Sequence, residues 1–187
     1  CSALELAWKI LEKHPVYKGI AGLYHMRIGM LKEIPGIGDV KAIEILCILE
    51  LSKRLSRACA VGEISFNSPD SIAAYYMETM RHLEEERVLL LLLDGKHHLR
   101  KEIFLSQGTA DSAYVSVKTI FVEAFRHEAV HIILLHNHPS GCPEPSREDL
   151  VLTRRIREAG ELLGIPLTDH IIIGDRCFTS LREQGMM

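Results

Sequence analysis

A chain of 187 residues, 47% of them apolar, has the material for one medium domain and one small one, each around a packed core. Its 22 Lys+Arg against 25 Asp+Glu give a formal net charge of -3, and no apolar stretch approaches the roughly 20 residues that span a bilayer, which excludes a membrane protein and leaves an ordinary soluble one. The N-terminus lacks a basic region followed by an apolar run, and the cysteines at 1, 47, 59, 142 and 177 are odd in number and scattered, so a reducing cytoplasm is expected rather than a secreted disulfide framework. The chain begins at Cys1 rather than Met and reads as a piece of a longer protein.

In chain order, Leu4, Ala7, Trp8, Ile10 and Leu11 give an amphipathic helix that Pro15 ends. Met30, Leu31 and Ile34 lead to Pro35-Gly36-Ile37-Gly38, after which Val40, Ala42, Ile43, Ile45, Leu46, Ile48 and Leu49 mark a second, long helix. Glycines between two helices permit a tight turn whose exposed N–H groups, together with a helix N-terminus, can accept a phosphate. Lys32 and Lys41 are the nearest cations, while Glu33, Asp39 and Glu44 dilute their charge. Residues 1–64 carry nine Lys/Arg against seven Asp/Glu and the remainder 13 against 18, a small difference in sign that permits a nucleic-acid contact by the first part without requiring one.

From residue 66 onward, strands alternate with helices. Ser68-Pro69-Asp70 opens a helix over 69–80 with Ile72, Ala73, Tyr76, Met77 and Met80 on its buried face. Val88–Leu93 and His98–Ser106 form a hairpin turned at Asp94-Gly95. A helix over 116–128, a strand over 131–138, a helix over 147–163 stopped by Gly164 and a strand over 171–173 follow. The alternation predicts an α/β sandwich around a central sheet.

The stretch His136 to Asp149 carries the chemistry. Successive side chains of a strand alternate between faces, so His136 and His138 leave the end of the Ile132–Leu135 run on one face. Ser146 and Asp149 stand at the spacing of a helix N-cap and its third residue, which returns a carboxylate from the first turn. Two nitrogens and one oxygen leave a fourth tetrahedral position open, the arrangement of a catalytic zinc. His127-Glu128-Ala129-Val130-His131 fits the rival pattern His-Glu-x-x-His, but that pattern binds zinc only within a helix, and the periodicity here changes from helix to strand inside it. A nucleobase deaminase would need a Pro-Cys-x-x-Cys pair, which the chain lacks. Activation of a zinc-bound water also needs a general base, and a carboxylate near the sheet end is the group to look for.

The string His136-x-His138-Pro139, six residues, Ser146, two residues, Asp149 resembles the signature of the JAMM (MPN/JAB) metalloproteases. That resemblance implies that His136, His138 and Asp149 are zinc ligands and that Ser146 helps hold the oxyanion of the tetrahedral intermediate. It also implies a catalytic glutamate just before the first long strand, where Glu86 precedes Arg87-Val88-Leu89-Leu90, with Glu102 in the second strand as the weaker candidate. Cys142 reads as a loop residue or, alternatively, as a redox-sensitive neighbour of the metal.

Together with Ile34-Pro-Gly-Ile-Gly38, Glu50-Leu51, Leu93-Asp94, Gly108-Thr109 and Asp169-His170-Ile-Ile-Ile-Gly174, these blocks resemble the RadC family over nearly the whole chain. The block through Phe178, Ser180 and Gly185 is similar to that family's C-terminus, and Ala110-Asp111 departs from the Leu-Asn usual after Gly-Thr. Leu31–Leu55 is similar to helix-hairpin-helix modules that contact the DNA backbone, which puts Gly36, Gly38 and Lys41 forward as DNA-contacting residues. The implied architecture is an MPN/JAB-type (cytidine-deaminase-like) sheet flanked by helices over 66–187, after a small all-α helix-hairpin-helix domain over 1–62. The implied function is zinc-dependent hydrolysis of amide or isopeptide bonds in a protein or peptide. The alternative is a DNA-associated, repair-linked binding protein with a structural or vestigial metal site.

Overall fold

The computed structural model describes residues 2–60, 66, 68–105 and 115–187, and for 56–60 the backbone alone. The chain divides into two compact units, Cys1–Cys59 and Ala60–Met187. Gly108-Thr109, Ala110-Asp111 and Ser106, the expected end of the second strand, lie outside the described residues.

The first unit is helical. α1 (Ala3–Glu12) starts at a capping box in which Ser2 and Glu5 satisfy each other's backbone N–H, and it stops short of Pro15, whose ring disfavours helix in the residue before it. α2 (Ile20–Leu23) and α3 (Ile28–Lys32) are too short to leave a periodic signal in the sequence. α4 (Asp39–Ala60) continues well past the expected apolar stripe. Met26, Leu31, Ile34, Ile37 and Ala42 form the buried core of this unit.

The second unit is a sheet covered on both faces. α5 (Pro69–Met80) precedes β1 (Val88–Leu93) and β2 (Leu99–Phe104), which pair antiparallel as a hairpin. α6 (Val117–Arg126), β3 (His131–Asn137), α7 (Arg147–Leu163), β4 (Leu167–Ile173) and β5 (Phe178–Ser180) complete the fold. The sheet order is β2-β1-β3-β4-β5; β3 and β4 are parallel, joined by α7, and every other pair is antiparallel. β4 begins earlier than the expected 171–173, and β5 was not expected as a strand.

β1 is buried at every position, as its unbroken Val-Leu run requires of a strand covered on two sides. Leu89, Leu91, Leu93, Ile133, Leu135, Ile171 and Ile173 pack with Ile72, Tyr76 and Met80 of α5. Leu90, Leu92, Ile132 and Leu134 pack on the other face with Ile120 and Ala124 of α6 and Ile156 of α7. The strand alternation therefore assigns each residue of β3 to one layer or the other. No helix among the described residues is long and apolar enough to cross a membrane.

Candidate metal centre

The site lies where β3 ends, β1 begins and α7 starts. Because β1 runs antiparallel to β3, with Val88 opposite His136, the residues entering β1 lie beside the residues leaving β3. α7 buries Asp149, Thr153, Ile156 and Gly160, a stripe at helical spacing that faces the sheet. Asp149 is thereby delivered to the same layer as His136.

Glu86, His136, His138 and Asp149 each offer one donor atom, and these four atoms lie within 4.8 Å of one another. His136 Nε2 is 2.9 Å from His138 Nε2, 3.3 Å from Asp149 Oδ1 and 3.7 Å from Glu86 Oε1. His138 Nε2 is 3.5 Å from the other Asp149 oxygen. Ligands about 2.0–2.1 Å from a tetrahedral zinc stand roughly 3.3 Å from one another, so the donor set fits such an ion. Two imidazole lone pairs and a carboxylate turned toward one point also require a positive charge between them, whether a proton or a cation.

The candidate ligands are held from behind. His138 Nδ1–H donates to the Cys142 carbonyl at 2.8 Å, which leaves Nε2 to face the cluster. Ser146 and Asp149 form a capping box: the Asp149 N–H donates to Ser146 Oγ at 3.1 Å, while Asp149 Oδ2 accepts from the Ser146 N–H at 2.7 Å and from its hydroxyl at 2.6 Å. The single hydroxyl proton of Ser146 thus points at Asp149. Donation to an oxyanion would require it to rotate away from Asp149.

Burial pushes the His136 imidazole down to about 4, against the opposing charge of Asp149, so it is neutral and able to ligate. The Asp149 carboxylate, accepting from the His138 ring, raises the proton affinity of His138. Burial pushes the Asp149 carboxyl up, yet His138, His136 and Ser146 hold it well below the usual carboxylate range. Burial raises Glu86 and the charge of Asp149 adds to the rise, while His138 opposes it.

The remaining candidates separate cleanly. Glu102 accepts a hydrogen bond from the Tyr76 hydroxyl at 2.7 Å and takes no part in the cluster. Cys142 is exposed and contributes its carbonyl. In the His-Glu-x-x-His segment, His127 caps the end of α6, Glu128 has a φ of 51°, and His131 is in β3 with its ring stacked on His97, so the helix ends at the first histidine and the two share no helical face. In the first unit, Gly36 takes a φ of 99° in the turn before α4, Lys41 Nζ donates to the Gly36 carbonyl at 3.0 Å, and Lys32 pairs with Asp39 at 2.6 Å.

A family model described as the RadC-like JAB domain matches residues 66–186. The chain belongs to the RadC-like JAB domain family. A UPF0758 protein of Desulforamulus reducens is 41% identical over 186 residues, covering 100% of this chain and 81% of that protein. A UPF0758 protein of Geobacillus sp. is 42% identical, covering 98% of this chain and 80% of its own length, and one of Shouchella clausii is 39% identical over 98% and 79%.

Within this RadC-like JAB domain, sequence reasoning passed over three polar residues that the structure builds into the site. Asn137, on the opposite face of β3 from His136, hydrogen-bonds the backbone on both sides of Glu86. His170 on β4 and Thr153 on α7 form a buried hydrogen-bonded line behind His136. The available signal was a polar residue within an apolar stripe: Thr153 one helical turn after Asp149, and His170 among the isoleucines of β4.

Proposed function

We propose that this chain is a zinc-dependent hydrolase of the JAMM type, cleaving amide or isopeptide bonds of a protein or peptide. The observation that carries this reading is the convergence of His136, His138, Asp149 and Glu86 on one point. Two imidazoles with one carboxylate are the donor set of open zinc sites. Zinc held there supplies Lewis acidity and brings the pKa of a water near about 7.

The chain's own groups supply the rest. Glu86 is part-exposed and its carboxyl is raised by burial, so it takes a proton from the attacking water and returns it to the leaving amine. His136 and His138 present Nε2 with their other nitrogens hydrogen-bonded. Asp149 stays ionised, and Ser146, rotated from its capping position, donates to the developing oxyanion.

Metal analysis of the purified full chain tests this reading. Stoichiometric zinc is expected in the wild type and loss of it in the His136→Ala/His138→Ala double variant; undiminished zinc in that variant would overturn the assignment. Glu86→Gln is expected to retain zinc while losing turnover of a mixed library of fluorogenic peptides.

A further inference from the structure

Behind His136 runs a line of buried polar groups: the His136, His170 and Thr153 residues are 1%, 0% and 1% exposed. His136 Nδ1 lies 2.8 Å from His170 Nε2, His170 Nδ1 lies 2.6 Å from Thr153 Oγ1, and the Thr153 hydroxyl lies 2.7 Å from the backbone carbonyl of Asp149. The line starts at one candidate ligand and ends on the backbone of another.

We propose that His170 and Thr153 are positioning residues for the metal, forming with His136 a one-way hydrogen-bond relay that sets the tautomer of His136 and ties it to the helix carrying Asp149. The inference rests on the metal-site reading above. Its direction follows from counting protons. A His136 that offers the Nε2 lone pair to a cation carries its proton on Nδ1 and donates it to His170 Nε2. His170 must then be the acceptor at Nε2, so its own proton sits on Nδ1 and is donated to Thr153 Oγ1. The Thr153 hydroxyl is left with one proton, which the Asp149 carbonyl accepts.

Run in reverse, the relay places a proton on His136 Nε2, pointing at the other donor atoms, and leaves that nitrogen no lone pair for a cation. Only the forward direction satisfies every buried group and ligation together. The usual partner behind a ligating histidine is a carboxylate, a backbone carbonyl or water. An imidazole here controls the tautomer without adding a second negative charge behind a set that already holds Asp149.

The test combines zinc affinity, measured by chelator competition, with long-range 15N–1H correlation spectra of the zinc-loaded full chain. The spectra are expected to show both His136 and His170 protonated on Nδ1. Thr153→Val, close in shape but without the hydroxyl, is expected to weaken zinc binding about 10–100-fold, and Thr153→Ser to restore it. A His170 protonated on Nε2 in the zinc-loaded wild type, or unchanged affinity in Thr153→Val, would overturn the relay and leave the metal site standing. A wild type that binds no zinc would instead overturn the metal reading and the relay with it.

Discussion

The side-chain amide of Asn137 closes on the backbone either side of Glu86: its Oδ1 accepts from the Arg87 N–H at 2.9 Å, and its Nδ2 donates to the Glu85 carbonyl at 3.1 Å. One of three consecutive glutamates is thereby fixed beside His136, His138 and Asp149. Asn137→Ala removes both side-chain hydrogen bonds from these part-buried backbone groups and is expected to lower stability by about 1–3 kcal/mol. Zinc content is expected to persist while turnover falls, because the ligands remain and the base is loosened. Thermal unfolding with metal analysis checks this, and an unchanged midpoint would contradict the clamp.

Ser146→Ala removes the cap of α7 and one of the hydrogen bonds that orient Asp149. A stability loss of about 0.5–2 kcal/mol is expected from the cap. Zinc is expected to remain bound, because His136, His138 and Asp149 are untouched. Urea unfolding of the zinc-loaded variant measures the first, and metal analysis the second.

The chelator-treated protein is expected to be acid-sensitive well above the carboxylate range. Burial lowers His136 to about 4 and His170 to about 3, both below their ordinary value of about 6.5. Between those limits the unfolded chain binds more protons than the folded one, so the stability these imidazoles confer is complete above about pH 6.5 and is lost as pH falls. Ionised Asp149 adds to the loss at the acid end, and His138, whose proton affinity is raised, offsets part of it. A urea midpoint that stays flat from pH 7 to pH 5 would count against buried neutral imidazoles.

Gly174 follows β4 where the chain passes the loop after His138. A Cβ there would sit 2.4 Å from the Gly141 carbonyl oxygen and 2.9 Å from Cys177 Sγ. Gly174→Ala must therefore displace the turn whose Cys142 carbonyl holds His138, and a loss of both stability and zinc affinity is expected. Gly164, with a φ of 70° and open space around its Cβ position, is the control. Gly164→Ala is expected to cost about 1–2 kcal/mol in backbone strain and leave zinc affinity unchanged. Equal affinity losses in the two variants would contradict the loop's role.

The local sequence determined a good deal. Alternation along Ile132–His138 is enough to put two imidazoles on one face, and Ser-x-x-Asp is enough to place a carboxylate in the first turn of a helix, because both patterns depend only on backbone periodicity. The unbroken Val88–Leu93 run likewise marks a strand covered on both sides. Tertiary structure alone decided what those faces meet. Asn137 reaches Arg87 across 50 residues, His136 reaches His170 across 34, and Thr153 reaches His170 across 17. Periodicity states which way a side chain points, but not which strand or helix lies beside it. The family resemblance singles out Glu86 among three consecutive glutamates, but its approach to His136, and the buried line behind His136, became visible only once β1, β3, β4 and α7 were packed side by side.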